Sequence, residues 1–224
     1  SGADLVIGCD PDTDRVGIAV NDGTGKMQLL NGNDTAALLV HYVLSEKKAK
    51  GDMRSNAFTA ATIVTTDLIE DISKHFGIPC YRCLTGFKWI ADIIKNRPDE
   101  KFIVGGEESY GYMVGDAVRD KDAVASAVMI AEMAAFAKSN GRTVLQQLEA
   151  IHREFGQYQE RLISITKKGR SGAQEIADMM TALRNDPPKT LAGSPVTVAI
   201  DHAVEDETEL ATGAVKSTGL PTSN

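Results

Sequence analysis

The sequence FTAATIVTTDLIEDISKHFGIPCYRCL, residues 58–84, contains the pattern that decides the fold. An apolar run rich in β-branched residues predicts a strand over residues 58–65, and the helical spacing of apolar residues predicts a helix over 67–76. Gly77 ends that helix, and residues 80–84 predict the next strand. A strand, a helix and a strand of these lengths form a βαβ unit, whose two strands run parallel to each other.

The same alternation of helices and strands continues on both sides of this unit. Asn33 or Asp34 is predicted to cap a helix over residues 35–48, which precedes the first strand. The elements predicted after the second strand are a helix from Thr85 to Lys95, a short strand at 102–104, a glycine-rich polar loop at 105–120 and an alanine-rich helix at 122–139. The predicted fold class is therefore α/β, in which βαβ units form a mixed, mostly parallel sheet covered by helices.

The two ends of the chain follow different patterns. Near the start, residues 5–9 and 16–20 predict two short strands on either side of a polar loop. The pattern restarts after Gly156, where the predicted elements are a strand at 158–166, a helix at 171–183 capped by Ser171, and a strand at 196–200. Residues 205–224 contain turn residues but no clear element. We therefore predict a truncated α+β part at the C-terminal end.

The composition excludes several classes of protein. The 224 residues are 42% hydrophobic and 25% charged, the ordinary proportions of a soluble globular protein. The formal net charge of −7 argues against a broad nucleic-acid surface, which needs clustered lysine and arginine. No apolar run reaches the roughly 18 residues of a membrane span, and the start lacks a signal-peptide pattern. We expect a cytoplasmic protein that binds neither nucleic acid nor a membrane.

Two of the cysteines form a Cys-x-x-Cys motif, which suggests a redox pair or half of a zinc site. Cys80 and Cys83 lie in a predicted strand, however, where residues three apart point to opposite faces. A zinc site also needs two further ligands, and no histidine is placed by sequence to supply one. The pair is therefore interpreted as structural.

The loop between the first two predicted strands reads Asp10-Pro-Asp12-Thr-Asp14-Arg15 and carries a carboxylate at every second position. The carboxylate oxygens can converge on one hard divalent cation, and without a cation their charges repel one another. An EF-hand loop is excluded, because it needs glycine and glutamate where Arg15 and Asn21 stand. The loop therefore predicts a magnesium site at Asp10, Asp12 and Asp14, with a solvated acidic turn as the alternative reading.

A haloacid-dehalogenase-like phosphohydrolase is an alternative function for this loop. Such enzymes also place Asp-x-Asp after an apolar strand, and Asp116 with Asp120 resembles their later metal motif. Asp10 would then be the nucleophile. Two features count against it, since Arg15 lies beside the third aspartate and no large cap-like insertion is evident. A magnesium-dependent phosphohydrolase stays open at this point.

Three motifs, in order along about half of the chain, resemble those of the α-D-phosphohexomutases, the phosphoglucomutase/phosphomannomutase family. Residues 10–15 resemble the magnesium loop, and Thr85-Gly-Phe-Lys88 resembles the short loop that helps to close over the substrate. Gly106-Glu-Glu-Ser-Tyr-Gly111 resembles the sugar-binding loop, and Arg119-Asp-Lys-Asp122 resembles the basic segment that follows it. The chain is therefore identified as a member of this family.

The resemblance implies an intramolecular phosphotransferase of carbohydrate metabolism that interconverts hexose 1-phosphate and hexose 6-phosphate. A phosphoserine phosphorylates the bound sugar, and the resulting hexose 1,6-bisphosphate turns round and returns its other phosphoryl group. One Mg²⁺ per site bridges the serine phosphate and the three aspartates. The implied substrate-binding residues are Arg15, Thr85, Lys88, Glu107, Ser109 and Arg119. Lys121 is implied as the general acid/base, for which its pKa has to fall towards the working pH.

Two segments of the family pattern do not occur in this sequence. The catalytic serine loop reads Ser-His-Asn-Pro, and the 224 residues contain no Ser-His pair. The phosphate-binding loop is of the Arg-x-Ser-Gly-Thr type, and Arg170-Ser-Gly-Ala173 lacks its threonine. We therefore expect a fragment that is inactive alone, whose partners are a hexose phosphate and the missing domains of a parent polypeptide. A non-catalytic sugar-phosphate binding module is a further alternative.

The resemblance also implies a domain organisation. Residues 1–30 are expected to end a second domain and to carry the metal-binding loop. Residues 31–150 are expected to form a third, α/β domain with the sugar-binding loop. Residues 151–224 are expected to start a truncated fourth, phosphate-binding domain.

Overall fold

The computed structural model describes residues 2–220. The chain folds into two compact units, Ser1–Glu160 and Arg161–Asn224. Within residues 2–220, no helix is both long and apolar enough to cross a membrane. The expected division into three domains stays a prediction.

The first unit begins with an antiparallel sheet of three strands, β1 (Leu5–Cys9), β2 (Val16–Asn21) and β3 (Met27–Leu30). Side chains alternate between the two faces of a strand, so Val16, Ile18 and Val20 of β2 point to the same side and are all buried. The two predicted strands are confirmed. The strand β3 was not predicted, because its four residues show no alternation by themselves.

The centre of the first unit is a sheet of four strands. Its elements in chain order are α1 (Gly32–Ala49), β4 (Ala57–Thr62), α2 (Leu68–His75), β5 (Cys80–Cys83), α3 (Phe87–Lys95), β6 (Lys101–Glu107) and β7 (Gly111–Val114). The strand order is β5-β4-β6-β7, in which β4 pairs with β5 and β6 in parallel and β7 is antiparallel to β6. The predicted mixed, mostly parallel sheet is confirmed.

Helices cover both faces of this sheet, which explains why β4 is buried along its whole length. Phe58 and Ala60 of β4 pack in a cluster with Ile90 of α3. Ala57 and Ala61 belong to the larger cluster that contains the buried face of α1. Because the two sets alternate along the strand, one six-residue strand contributes to the core on both sides.

Two further helices complete the first unit, α4 (Ala123–Ser139) and α5 (Val144–Phe155). The alanine-rich helix is confirmed, and α5 was not predicted although its start carries a capping box. The Thr143 side chain accepts from the Gln146 backbone N–H, and the Gln146 side chain accepts from the Thr143 N–H.

The predicted cap of α1 is wrong by two or more positions. Asn31 is the N-cap, because its Oδ1 accepts from the Asp34 N–H at 2.8 Å. Asn33 instead accepts from the Thr66 backbone N–H at 3.0 Å, and so joins the start of α1 to the loop after β4.

Within residues 161–220 the second unit contains one helix and short antiparallel strands, which confirms the predicted α+β class. They are α6 (Gly169–Asn185), β8 (Thr190–Leu191), β9 (Ser194–Pro195), β10 (Val198–Asp201), β11 (Asp206–Glu209) and β12 (Val215–Ser217). The predicted strand at 158–166 is wrong, because these residues pair with no other strand. Ser171 is not the predicted cap, since Lys168 holds that position and Ser171 lies inside the helix.

Candidate functional site

The aspartate loop is the turn of the hairpin between β1 and β2, in which Cys9 faces Val16. Asp10 Oδ1 accepts from the backbone N–H groups of Asp14 at 3.1 Å and Arg15 at 3.0 Å. The N–H of Arg15 is the main reason that the pKa of Asp10 lies below its usual value. The Asp10 carboxylate is therefore ionised, and it also fixes the shape of its own loop.

The carboxylates of Asp10, Asp12 and Asp14 converge. One oxygen from each lies within 4.8 Å of the others, and within residues 2–220 they form the one such group of acidic, cysteine or histidine side chains. Three oxygen donors on a short loop suit a hard divalent cation such as Mg²⁺, which takes few carboxylates and completes its shell with other oxygens. The donor set therefore fits the predicted metal, and the ligand assignment stays a prediction.

The end of β6 carries the first glutamate of the predicted sugar-binding loop. Glu107 is 7% exposed, and its Oε1 accepts from the backbone N–H of Gly86 at 2.8 Å. Gly86 has a φ of 112°, a conformation that side chains other than glycine rarely adopt. The loop at residues 85–88 and the loop at 106–111 therefore meet through a backbone donor and a buried carboxylate.

Glu108 points the other way. Its Oε2 lies 3.4 Å from Thr62 Oγ1 and 3.3 Å from Thr65 Oγ1, at the end of β4. The two neighbouring glutamates thus have different surroundings, a distinction that the sequence Glu-Glu does not indicate.

Lys121 contacts both the aspartate loop and the loop at residues 85–88. Its Nζ lies 2.9 Å from Asp14 Oδ2 and 3.4 Å from Asp120 Oδ1, and it lies over the Phe87 ring at 5.5 Å from the centroid. Burial lowers the pKa of Lys121, but the two aspartates outweigh burial and raise the pKa above its ordinary value. The general acid/base role of Lys121 stays a prediction.

Backbone hydrogen bonds join the same loops. The N–H of Val16, directly after the aspartate loop, donates to the Tyr110 carbonyl at 3.0 Å. The N–H of Ala123, at the start of α4, donates to the Thr13 carbonyl at 3.3 Å. Thr13 and Tyr110 both have a positive φ, of 58° and 70°. Such strained positions concentrate at functional sites, and here each lies in a predicted ligand-binding loop.

The remaining predicted substrate-binding residues lie at the rim. The Arg15 side chain is 51% exposed, and its Nε lies 3.7 Å from Asp14 Oδ1. Ser109 is half-buried in the turn between β6 and β7. Thr85, Lys88 and Arg119 are exposed, and the Lys88 ammonium lies over the Trp89 ring. Among the described residues, neither Lys88 nor Arg119 forms an ion pair. The structure thus brings Asp14, Glu107 and Lys121 into one network. It leaves the cationic side chains of Arg15, Lys88 and Arg119 at the surface.

The carboxylates of the second acidic pair invoked for a phosphohydrolase do not converge with those of the aspartate group. Asp116 pairs with Lys101 at 2.5 Å, and Asp120 pairs with Lys121. The hydrogen bond from Lys101 is the main cause of a lowered pKa at Asp116. Both carboxylates are engaged by lysines, and the phosphohydrolase alternative is not favoured.

The Cys-x-x-Cys motif lies in β5, as predicted. Cys83 is buried, Cys80 is half-buried, and both are free thiols. Burial is the main cause that raises the pKa of Cys83 to about 12, so this thiol is protonated at neutral pH.

The sequence did not predict a role in the site for several residues of this region. Phe87 and Tyr110 lie inside the motifs but carried no predicted role, and the threonines Thr62 and Thr65 belonged to a strand prediction. The sequence contains a weak signal for the threonines, because polar residues at the carboxyl end of a parallel strand often face a ligand site.

The fold and the site together define an α/β domain in which the loop of Asp10, Asp12 and Asp14 packs against the loop at residues 106–111. The chain belongs to the phosphoglucomutase/phosphomannomutase family, since the family model for its alpha/beta/alpha domain III matches residues 31–155. A phosphoglucomutase of Staphylococcus epidermidis is 34% identical over 223 residues, which are 99% of this chain and 40% of that protein. The predicted family is confirmed.

Solved structures show the same fold. The open form of parafusin, a phosphoglucomutase from Paramecium, matches with a TM-score of 0.61 at 17% identity, over 96% of this chain and 34% of that one. A phosphoglucomutase/phosphomannomutase family protein from Burkholderia thailandensis matches with a TM-score of 0.53 at 16% identity, over 67% of this chain and 29% of that one. The chain therefore spans well under half the length of these relatives.

Proposed function

We propose that this chain supplies the metal-binding and sugar-binding parts of a phosphohexomutase. The parent enzyme would interconvert hexose 1-phosphate and hexose 6-phosphate through a phosphoserine and a hexose 1,6-bisphosphate. The observation that carries the proposal is the position of Lys121. Its ammonium pairs with Asp14 at 2.9 Å and lies over the ring of Phe87. Gly86, the residue before Phe87, donates its N–H to Glu107. Three motifs far apart in sequence thus form one network. Their family supports the reaction.

In this proposal Asp10, Asp12 and Asp14 hold one Mg²⁺. The hydrogen bonds from the loop backbone orient Asp10 before any ligand arrives, so little reorganisation is needed. A bound Mg²⁺ supplies positive charge that stabilises a phosphoryl group in transfer.

Glu107 and Ser109 are proposed to bind the sugar hydroxyls. The Gly86 N–H donates to Oε1 of the Glu107 carboxylate, which leaves Oε2 to accept from the hydroxyls of a hexose. The Ser109 hydroxyl can donate or accept beside it. Arg15, Thr85, Lys88 and Arg119 at the rim would bind the phosphate of the sugar, a role that suits exposed cations and a hydroxyl.

Lys121 is proposed as the general acid/base, which accepts the proton of the sugar hydroxyl that receives the phosphoryl group and returns a proton to the sugar oxygen that loses one. Its raised pKa keeps the ammonium protonated at neutral pH, and the ammonium has three hydrogens to donate. It can therefore hold a proton at a sugar oxygen and neutralise negative charge there. To act as a base it would have to lose the hydrogen bonds to Asp14 and Asp120.

The phosphoserine would come from elsewhere in a longer polypeptide. No Ser-His pair occurs in the 224 residues, so the family's serine loop is not within this sequence. The proposed organisation assigns residues 1–30, 31–150 and 151–224 to three successive domains of that polypeptide, in a cytoplasmic enzyme. The family model for domain III, which matches 31–155, supports the middle assignment.

The test is a pair of titrations on the purified chain. Calorimetry with Mn²⁺ and with glucose 1-phosphate measures the two binding reactions, and Asp12→Asn should weaken Mn²⁺ binding about tenfold or more, the effect of losing a charged contact. Asp116→Asn is the matched control, because it removes the same charge outside the aspartate group. Equal Mn²⁺ affinity in the two variants would contradict the metal assignment.

Two activity assays separate the candidate functions. The chain is expected to show no sustained conversion of glucose 1-phosphate to glucose 6-phosphate, and no hydrolysis of p-nitrophenyl phosphate. Hydrolysis that Asp10→Asn abolishes would instead support the phosphohydrolase.

A further inference from the structure

We propose that Glu108 is a positioning residue, which fixes the direction of the sugar-binding loop so that its neighbours Glu107 and Ser109 face the ligand. This inference deepens the proposed function, on which it rests for the identity of the ligand. The geometry of the loop itself stands independently of that function.

The carboxylates of Glu107 and Glu108 diverge at the end of β6. Glu107 Oε1 accepts from the Gly86 N–H at the start of α3, whereas Glu108 Oε2 lies 3.4 and 3.3 Å from the hydroxyl oxygens of Thr62 and Thr65. One threonine hydroxyl donates to the other, and the second hydroxyl's hydrogen is the one that Glu108 accepts. Glu107 is the last residue of β6 and Glu108 is the first residue of the turn that follows, so holding one of these side chains limits the directions open to the other. Holding the Glu108 side chain among the threonines therefore directs Glu107 towards the opposite side.

Thr62 and Thr65, which contact Glu108, are themselves buried and held in place. Thr62 and Thr65 are 0% and 3% exposed, and their hydroxyl oxygens lie 2.7 Å apart. Thr65 Oγ1 also accepts from the Glu108 backbone N–H at 3.2 Å, so one hydroxyl contacts both the main chain and the side chain of Glu108. Arg82 Nη2 donates to the Thr65 carbonyl at 2.6 Å and so fixes the threonine loop from outside.

The backbone of the loop is confined as well. A Cβ placed on Gly32 would lie 1.7 Å from the Glu108 carbonyl oxygen, so α1 approaches this peptide as closely as a glycine permits. Two residues later, the Tyr110 carbonyl accepts from the Val16 N–H. Ser109 thus lies between two fixed points, one at Glu108 and one at Tyr110.

The expected effect is moderate, because the two hydroxyl contacts of Glu108 are long, at 3.4 and 3.3 Å. Removing the carboxylate leaves the threonines bonded to each other and keeps the backbone N–H bond of residue 108, but it removes the side-chain contact that helps to fix the turn. We expect Glu108→Ala to weaken glucose 1-phosphate binding about tenfold, the loss that one charge-assisted hydrogen bond represents. Mn²⁺ affinity should stay within about twofold of wild type, since Glu108 is not a member of the aspartate group.

The experiment compares Glu108→Ala, Glu108→Gln and Thr65→Val by calorimetry with glucose 1-phosphate and with Mn²⁺. Glu108→Gln keeps an acceptor oxygen and should restore most of the lost affinity, whereas Thr65→Val keeps the shape and should reproduce the loss. Glu149→Ala, on the exposed surface of α5, is the control for removing a glutamate. Unchanged glucose 1-phosphate affinity in Glu108→Ala, or an equal loss of Mn²⁺ affinity, would overturn the proposal.

Hydrogen exchange of the ligand-free chain provides a second measurement. Glu108→Ala should accelerate amide exchange over residues 107–110 and leave the middle of β6 unchanged. Exchange that stays at the wild-type rate would overturn the positioning role. Failure of the wild-type chain to bind glucose 1-phosphate would refute the proposed function, while the exchange result would still decide the role of Glu108.

Discussion

The two units of the chain differ in how completely they bury their apolar side chains. In the first unit, β4 is buried along its whole length, and helices cover both faces of the sheet. In the second unit, no hydrophobic residue among the described residues 161–220 is buried, and Met179 and Leu183 of α6 are 42% and 52% exposed. The residues of the candidate site belong to the first unit. A closed core holds side chains in fixed positions, and the site depends on such positions.

The largest expected difference between the units concerns stability. Phe58→Ala removes a fully buried ring and should lower the free energy of unfolding by about 3–5 kcal/mol. Met179→Ala removes a side chain that is 42% exposed and should change it by about 0.5 kcal/mol or less. Urea unfolding of both variants is followed by far-ultraviolet circular dichroism, which reports on the helices of both units. Similar losses in the two variants would mean that the second unit buries Met179 in solution.

The close packing of the first unit should extend to the candidate site. A Cβ on Gly111 would lie 2.3 Å from Lys121 Cδ, so Gly111→Ala must displace that flexible side chain. We expect glucose 1-phosphate affinity to fall about tenfold, while the free energy of unfolding changes by less than about 1 kcal/mol. Calorimetry and urea unfolding measure the two quantities.

Gly8→Ala is the matched control for Gly111→Ala, since nothing lies within 4 Å of a Cβ placed there. It should leave glucose 1-phosphate affinity unchanged. If Gly111→Ala also binds the sugar phosphate like the wild type, the position of Lys121 is not important for binding.

A third prediction concerns competition between Lys121 and the metal. The ammonium lies 2.9 Å from Asp14 Oδ2 and opposes a second cation there. Lys121→Met should therefore strengthen Mn²⁺ binding by about two- to fivefold, as expected for one partly exposed ion pair. Lys138→Met is the control, because Lys138 pairs with the exposed Asp4. Weaker Mn²⁺ binding in Lys121→Met would show that the lysine supports the metal loop instead.

The smallest expected effect is a pH dependence of stability at the contacts of α1 with α2 and α5. Burial lowers the pKa of His41, whose ring lies against Phe76 and Phe155, and Glu154 and His75 are the charged or titratable neighbours. The unfolded chain therefore binds a proton more readily than the folded chain. Stability should fall as the pH drops below about 6.5, the ordinary histidine value.

Urea unfolding at pH 8 and pH 5.5, in wild type and in His41→Leu, measures this contribution. The variant should lose less stability on acidification than the wild type. An equal or larger loss would contradict the assignment to His41.

The sequence predicted the parts of the fold that depend on local pattern. Alternation in residues 16–20 and the apolar run after residue 57 identified β2 and β4, and helical spacing identified α1 and α4. The strand expected at 158–166 has the right composition, but a strand also needs a partner, which no local pattern specifies. The capping box at Thr143 was a local signal for α5 that the prediction did not use.

The candidate site was predictable as motifs but not as a network. The carboxylate spacing supplied Asp10, the family resemblance supplied Glu107 and Lys121, and the structure shows which contacts connect their loops. The different surroundings of Glu107 and Glu108 follow from the end of β6, the turn at Gly86 and the threonines after β4, which lie far apart in sequence. Such contacts arise from the tertiary fold, and a single sequence contains no pattern that specifies them.

The most direct test of the account is a titration of the labelled chain with glucose 1-phosphate in the presence of Mg²⁺, followed by amide NMR shifts. We predict shifts at residues 10–16, at Gly86 and at 107–111, because these loops form one site. Glu107→Gln should remove the shifts caused by the sugar phosphate and keep those caused by Mg²⁺ alone. Shifts confined to other surfaces, or a Glu107→Gln variant that binds the sugar phosphate like the wild type, would contradict the account.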